Sequence, residues 1–117
     1  MLGLGFDTID AEALLVYRQQ GHGLASALLD YSLLAPLIEE TAFRGIILGA
    51  LGGAIGRRGA LWASSLMFAT IHLSPLTFVH HTLLGLVCGH ARVQSRSLLV
   101  PVAVHGAYNA VVVLLSW

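Results

Sequence analysis

Glu39, Glu40 and Arg44 interrupt an apolar stretch that runs from Leu24 to about Gly53, His72 lies near the end of the next, and His105 stands in the middle of the last. Ionisable side chains at membrane depth cost several kcal/mol on most estimates, so a chain that carries them there must turn them inward and pair them or use them. The alternative, a soluble helical bundle, needs charges spread over outer faces. This chain is 56% hydrophobic and 10% charged, with a mean hydropathy of +0.80, and its few charges are clustered. Lipid is therefore the expected solvent for most of its surface.

The residues divide into a mixed lead-in, 1–23, and an apolar core domain, 24–117. In the lead-in, Asp7, Asp10 and Glu12 follow a short apolar start that has no basic segment ahead of it, which does not read as a cleaved signal peptide. Gly21-His22-Gly23 closes it. Beyond it, Leu24 to Gly53 reads as one kinked helix or two around Pro36, Ala60 to Leu73 as a further helix, and Leu76 to Ala91 as another. Leu98 to Trp117 comes last and meets the requirement of about 20 apolar residues for a span, which the two middle segments meet less well. The expected architecture is all-α, a polytopic membrane helical bundle of about four hydrophobic helices. The loops at Arg57-Arg58 and Arg92 to Arg96 fall on one side and the Ser74-Pro75 turn on the other, so the arginine-bearing loops are expected to be cytoplasmic. Trp117 is expected to anchor at the interface.

Net charge is zero and all basic residues are arginines, which excludes a basic nucleic-acid surface. Cys88 is the only cysteine, so neither an intrachain disulfide nor a multi-cysteine metal cage is available.

Helical spacing then sorts the polar residues. Glu40 and Arg44, four apart with the acid on the amino-terminal side, form an ion pair. Glu39 points about 100° away around the same helix and lacks that cation, and desolvation suits it to act as a general base. Both acids could equally be structural, holding Arg44 or capping a helix broken at Pro36. Asp30 is nearer the start and is expected by headgroups or a neighbouring helix end. Phe68 and His72 share a helix face, the ring packing the imidazole. His105 and Asn109 repeat the spacing and present donors suited to a developing oxyanion. His22, His80, His81 and His90 are expected in surface or interfacial roles, and Tyr108 in packing.

Three segments carry a resemblance: Ala35-Pro36-Leu37-Ile38-Glu39-Glu40-Thr41-Ala42-Phe43-Arg44-Gly45, then Ser64 to His72 with Phe68 four before the histidine, then Pro101 to Asn109. Glu-Glu-x-x-x-Arg, Phe-x-x-x-His and His-x-x-x-Asn, in that order over about Leu34 to Leu114, resemble the CPBP family of intramembrane proteases. That family includes CAAX prenyl endopeptidases and bacteriocin-processing or immunity proteins. The resemblance implies a membrane endopeptidase in which Glu39 and His72 activate a water, His105 and Asn109 hold the oxyanion, and Glu40, Arg44 and Phe68 support the site.

No cofactor is expected, the alternative being zinc on Glu39, His72 and His105, a chemically plausible set for a catalytic site. The implied partners are the lipid bilayer and a membrane peptide or prenylated protein as substrate. Family members commonly carry several more membrane helices ahead of the first motif, so a homo-oligomer or partner helices are further expectations. A non-enzymatic immunity or scaffold protein, using the same charges to fix helix register, is the rival of a different class.

Overall fold

A computed structural model gives the backbone of residues 8–117 and the side chains from Glu12 onward. The reading of residues 1–7, including the argument against a signal peptide, lies outside the described residues. Those described fold entirely through helices: α1 (Thr8–Gln19), α2 (Leu24–Leu29), α3 (Ala35–Glu40), α4 (Leu48–Ile71), α5 (Phe78–Ser95) and α6 (Leu99–Ser116), with no strand among them.

The expected kink around Pro36 has another form. Between α2 and α3 the chain widens into a π-helical turn, Asp30–Leu34, in which the Ala35 N–H reaches back five residues to the Asp30 carbonyl. A second π-helical stretch, Thr41–Ile47, joins α3 to α4. Residues 24 to 55 thus form one continuous rod with two wide turns, and π-turns of this kind re-aim the side chains that follow. The sharp break comes later, inside α4 at Gly56, where φ is 81° and ψ 169°. A Cβ disfavours that conformation, so glycine supplies it. The arginine pair read as a loop therefore opens the second half of α4.

Leu73, with φ 53°, reverses the chain after His72, and α5 returns along α4. Their seam is lined with small residues. A Cβ on Gly85 would come within 3.0 Å of the Ser65 backbone and of Arg44 Nη2, so Gly85 allows a close approach of the two helices. Hydroxyls on these helices fold back onto the preceding turn, Ser65 Oγ donating to Leu61 O at 2.6 Å and Thr82 Oγ1 to Phe78 O at 2.8 Å. Such bonds satisfy polar groups without water.

Two apolar clusters hold the helices. Phe43, Phe68, Leu84 and Cys88 pack between the rod, α4 and α5. Leu14, Ala27 and Val113 join α1 and α2 to α6. The Tyr17 hydroxyl donates to Asp30 at 2.6 Å, placing Asp30 against α1, the neighbouring helix end. Trp117 is tied to α1 as well, its carbonyl accepting from Arg18, whose guanidinium lies 4.9 Å from the indole.

Large apolar side chains also face outward: Ile38, Ile46, Val79, Leu99 and Leu115 are each more than 65% exposed. Among the described residues one helix, α6, is long and apolar enough to cross a membrane by itself. Its 18 residues rise about 27 Å, close to the roughly 30 Å of a hydrocarbon core.

Candidate active site

The rod supplies three of the seven site residues. Glu40 ends α3 and is fully buried; Arg44, one turn on, is 1% exposed. Arg44 Nη1 donates to Glu40 Oε1 at 3.2 Å, the ion pair expected from their spacing. Its Nη2 donates to the Gly85 carbonyl at 2.7 Å, and the guanidinium carbon lies 4.7 Å from the Phe68 ring centre. Arg44 thereby ties the rod to both helices of the α4–α5 pair.

From α6, His105 enters between the two acids. Its Nδ1 is 2.8 Å from Glu40 Oε1, and its Nε2 is 3.6 Å from Glu39 Oε2. Since a carboxylate only accepts, the short contact puts a proton on Nδ1 and turns Nε2 toward Glu39. The longer distance exceeds a hydrogen bond but brings a carboxylate and an imidazole nitrogen face to face. Accessibility is graded across the group: the side chain of Glu39 is 28% exposed, that of His105 3%, and those of Glu40 and Arg44 0%.

Phe68 is the hub of the aromatic side. It meets His72 edge-on at 4.8 Å and His105 at 5.4 Å between ring centres, so one buried ring orients two imidazoles. The Nδ1 of His72 is held 2.8 Å from the Phe68 carbonyl, which leaves Nε2 as the nitrogen able to accept a proton.

Asn109 lies one turn beyond His105, and Nδ2 donates to the Tyr31 carbonyl at 2.7 Å. The π-turn explains that contact. In the five-residue register set by Ala35 and Asp30, the next donor, for Tyr31 O, falls at Pro36, which has no N–H. Asn109 supplies the donor instead. Close beside it, Gly106 packs against the same turn, and a Cβ there would overlap the Ser32 carbonyl oxygen. The π-turn and α6 therefore fit together through one missing side chain and one side-chain amide.

The structure thus gathers Glu39, Glu40, Arg44, Phe68, His72 and His105 into one cluster, with Asn109 at its edge and engaged with backbone. It also adds a residue that sequence reasoning assigned to the surface. His81 is 3% exposed and stacks on His72, with ring centres 3.9 Å apart and planes 20° off parallel. Its Nδ1 lies 2.9 Å from the Thr77 carbonyl, repeating the Phe68–His72 arrangement. The correction has a periodic cause: His81, Gly85 and Cys88 fall on the buried stripe of α5, and that spacing was the available signal. His80, on another face, contacts the Tyr108 hydroxyl and is half-buried, so Tyr108 has a polar partner as well as a packing role. His22 and His90 are exposed, as expected. No group of three His, Cys, Asp or Glu side chains among the described residues is arranged to hold a metal ion.

The carboxylate, imidazole and guanidinium form a buried polar centre inside an apolar helical chain, and comparison with known proteins gives its family. Residues 21–111 match the family described as Type II CAAX prenyl endopeptidase Rce1-like, and the chain belongs to that family. The family is membrane-embedded. An uncharacterised 24.3 kDa protein of Escherichia coli is 40% identical over 83 residues, which are 67% of this chain and 38% of that relative. The chain therefore spans well under half the length of the relative it matches. No solved structure matches it.

Proposed function

We propose that the chain is the core of an intramembrane endopeptidase, built as a polytopic bundle of about four membrane segments, that hydrolyses a peptide bond in a membrane peptide or prenylated protein. The observation that carries this reading is the graded exposure around His105. Of two adjacent acids, Glu40 is sealed against Arg44 and His105, whereas the Glu39 side chain is 28% exposed and turns its buried Oε2 toward His105 Nε2.

In the reaction, Glu39 takes a proton from water as its oxygen attacks the carbonyl carbon, with His72 Nε2 helping to orient that water. The carbonyl oxygen becomes an oxyanion. When His105 carries both protons, Nδ1–H stays on Glu40 and Nε2–H is left for the oxyanion. An amide nitrogen has two hydrogens, and Asn109 spends one on Tyr31, leaving the second for the same oxygen. Glu39 then returns its proton to the amine nitrogen as the carbon–nitrogen bond breaks, giving a carboxylic acid and an amine, and the acid's proton passes to the amine to leave carboxylate and ammonium. Glu40 and Arg44 hold His105 in register and do not meet substrate.

The arginine-bearing helix ends are placed in the cytoplasm by the positive-inside rule. Exposed apolar side chains such as Ile38, Ile46 and Val79 leave surface for a second copy or for partner helices.

The test is cleavage of a panel of prenylated and unprenylated peptides by purified, reconstituted protein, with and without a strong zinc chelator. Cleavage that survives the chelator supports the glutamate mechanism. Loss that added zinc restores would put a metal in its place, and no cleavage by folded protein across the panel would favour a non-enzymatic role.

A further inference from the structure

Away from the acids, on the far side of Arg44, lies a cavity of about 370 Å³ lined by Arg44, Arg57, Arg92 and Arg96 together with Gly49 and Gly52. The Gly56 break and the left-handed C-cap at Arg96 bring Arg57 and Arg96 to it from different helices. Among the described residues, no acidic side chain lines it. Glu40 accounts for one guanidinium, that of Arg44, but Arg44 Nε and Arg92 Nε are buried there without a hydrogen-bond partner. Arg44 is 1% exposed and closes the inner side of the cavity, whereas Arg57 and Arg96 are exposed. Guanidinium groups that converge without a carboxylate repel one another, and a bound anion relieves that repulsion.

We propose that this cavity binds the phosphate of an anionic phospholipid headgroup. The inference rests on the reading of the chain as a membrane protein. A lipid phosphate fits better than a soluble anion because the cavity lies where the Gly56 break of α4 meets the arginine-bearing end of α5, arginine-rich turns of the kind that sit at headgroup depth, and is walled in part by Leu48, Ala60 and Val93. Gly49 and Gly52 present no side chain, and a Cβ on either would meet nothing within 4 Å, which leaves room for a glycerol backbone. Neighbouring exposed apolar residues, Ile55 and Trp62, offer a path for acyl chains. The buried Arg44–Glu40 pair separates the cavity from Glu39, so the lipid does not occupy the reacting centre. It braces the outer side of the guanidinium whose inner side holds Glu40.

The test uses the full chain purified in a nonionic detergent and titrated with phosphatidylglycerol, phosphatidylcholine or free glycerol phosphate. Thermal midpoint and lipid retained in native mass spectrometry are the readouts. Phosphatidylglycerol is expected to raise the midpoint and to be retained, and the other two to do neither. Arg57→Gln and Arg96→Gln, both at exposed positions, should each weaken the lipid's effect about fivefold. Gly52→Leu should abolish it by filling the cavity while every arginine remains, which separates a built site from general attraction of arginines to an anionic surface. An equal response to phosphatidylcholine overturns the proposal, as does a phosphatidylglycerol effect untouched by all three variants. Glycerol phosphate reproducing the shift would reassign the cavity to a soluble anion. A peptide that displaces lipid with its free carboxylate, but not as its amide, would reassign it to a substrate tail. A chain that stays in the micelle and shows no lipid preference defeats this inference while leaving the membrane reading intact.

Discussion

His105 Nδ1 lies 2.8 Å from Glu40 Oε1, a contact between residues 65 positions apart that joins α6 to the rod at the centre of the molecule. It makes Glu40 the positioning acid, because one oxygen serves both His105 and Arg44 and the side chain is sealed from water.

The first prediction concerns that sealed acid. Glu40→Gln leaves the Arg44 guanidinium buried without its counter-charge, which typically costs about 3–5 kcal/mol. Glu40→Gln should therefore lower the thermal midpoint in detergent and lose activity together. A variant with unchanged midpoint would mean that Arg44 finds compensation elsewhere.

Gly106 yields a second. Alanine in place of an exposed mid-helix glycine usually helps, but here the added carbon runs into the Ser32 carbonyl of the π-turn. Gly106→Ala should destabilise by about 1–3 kcal/mol and displace His105 and Asn109 with it. Denaturation in mixed micelles checks the sign, and stabilisation would show that the turn yields freely.

The π-turn also marks what was legible in the sequence. The all-helical class, the i,i+4 pairing of Glu40 with Arg44 and the joining of Phe68 with His72 follow from spacing alone, because helical periodicity is local. The partner of His105 does not, since nothing local says which acid α6 will meet. Likewise Asn109 reads as a free donor until Pro36 and the wide turn before it are placed, at which point Tyr31 needs a donor. His81 was misassigned because adjacent histidines at a turn look interfacial, although the stripe through Gly85 and Cys88 marks it as buried.

The third prediction tests His81. A flat ring at this position keeps His72 in place by stacking, so His81→Phe should retain most of the catalytic rate. His81→Ala should lower kcat about tenfold with little change in KM, the loss expected when the imidazole that orients the attacking water is left mobile. Equal kcat for both variants and the wild type would remove His81 from the site.

Asn109 supports a fourth. Removing a single oxyanion donor costs about 10²–10³ in kcat, so Asn109→Ala should fall in that range. Some loss of stability should accompany it, because the Tyr31 carbonyl loses the amide that meets it. Loss of stability with unchanged kcat would assign Asn109 to the helix contact alone.

The central claim is that Glu39 performs the chemistry and Glu40 does not, and the measurement that addresses it most directly is peptide cleavage by Glu39→Gln beside its thermal midpoint. Because Glu39 is partly exposed at the edge of the cluster, Glu39→Gln should keep the wild-type midpoint and lose about 10²–10⁴ of the rate. Wild-type cleavage by a folded Glu39→Gln protein would contradict the account.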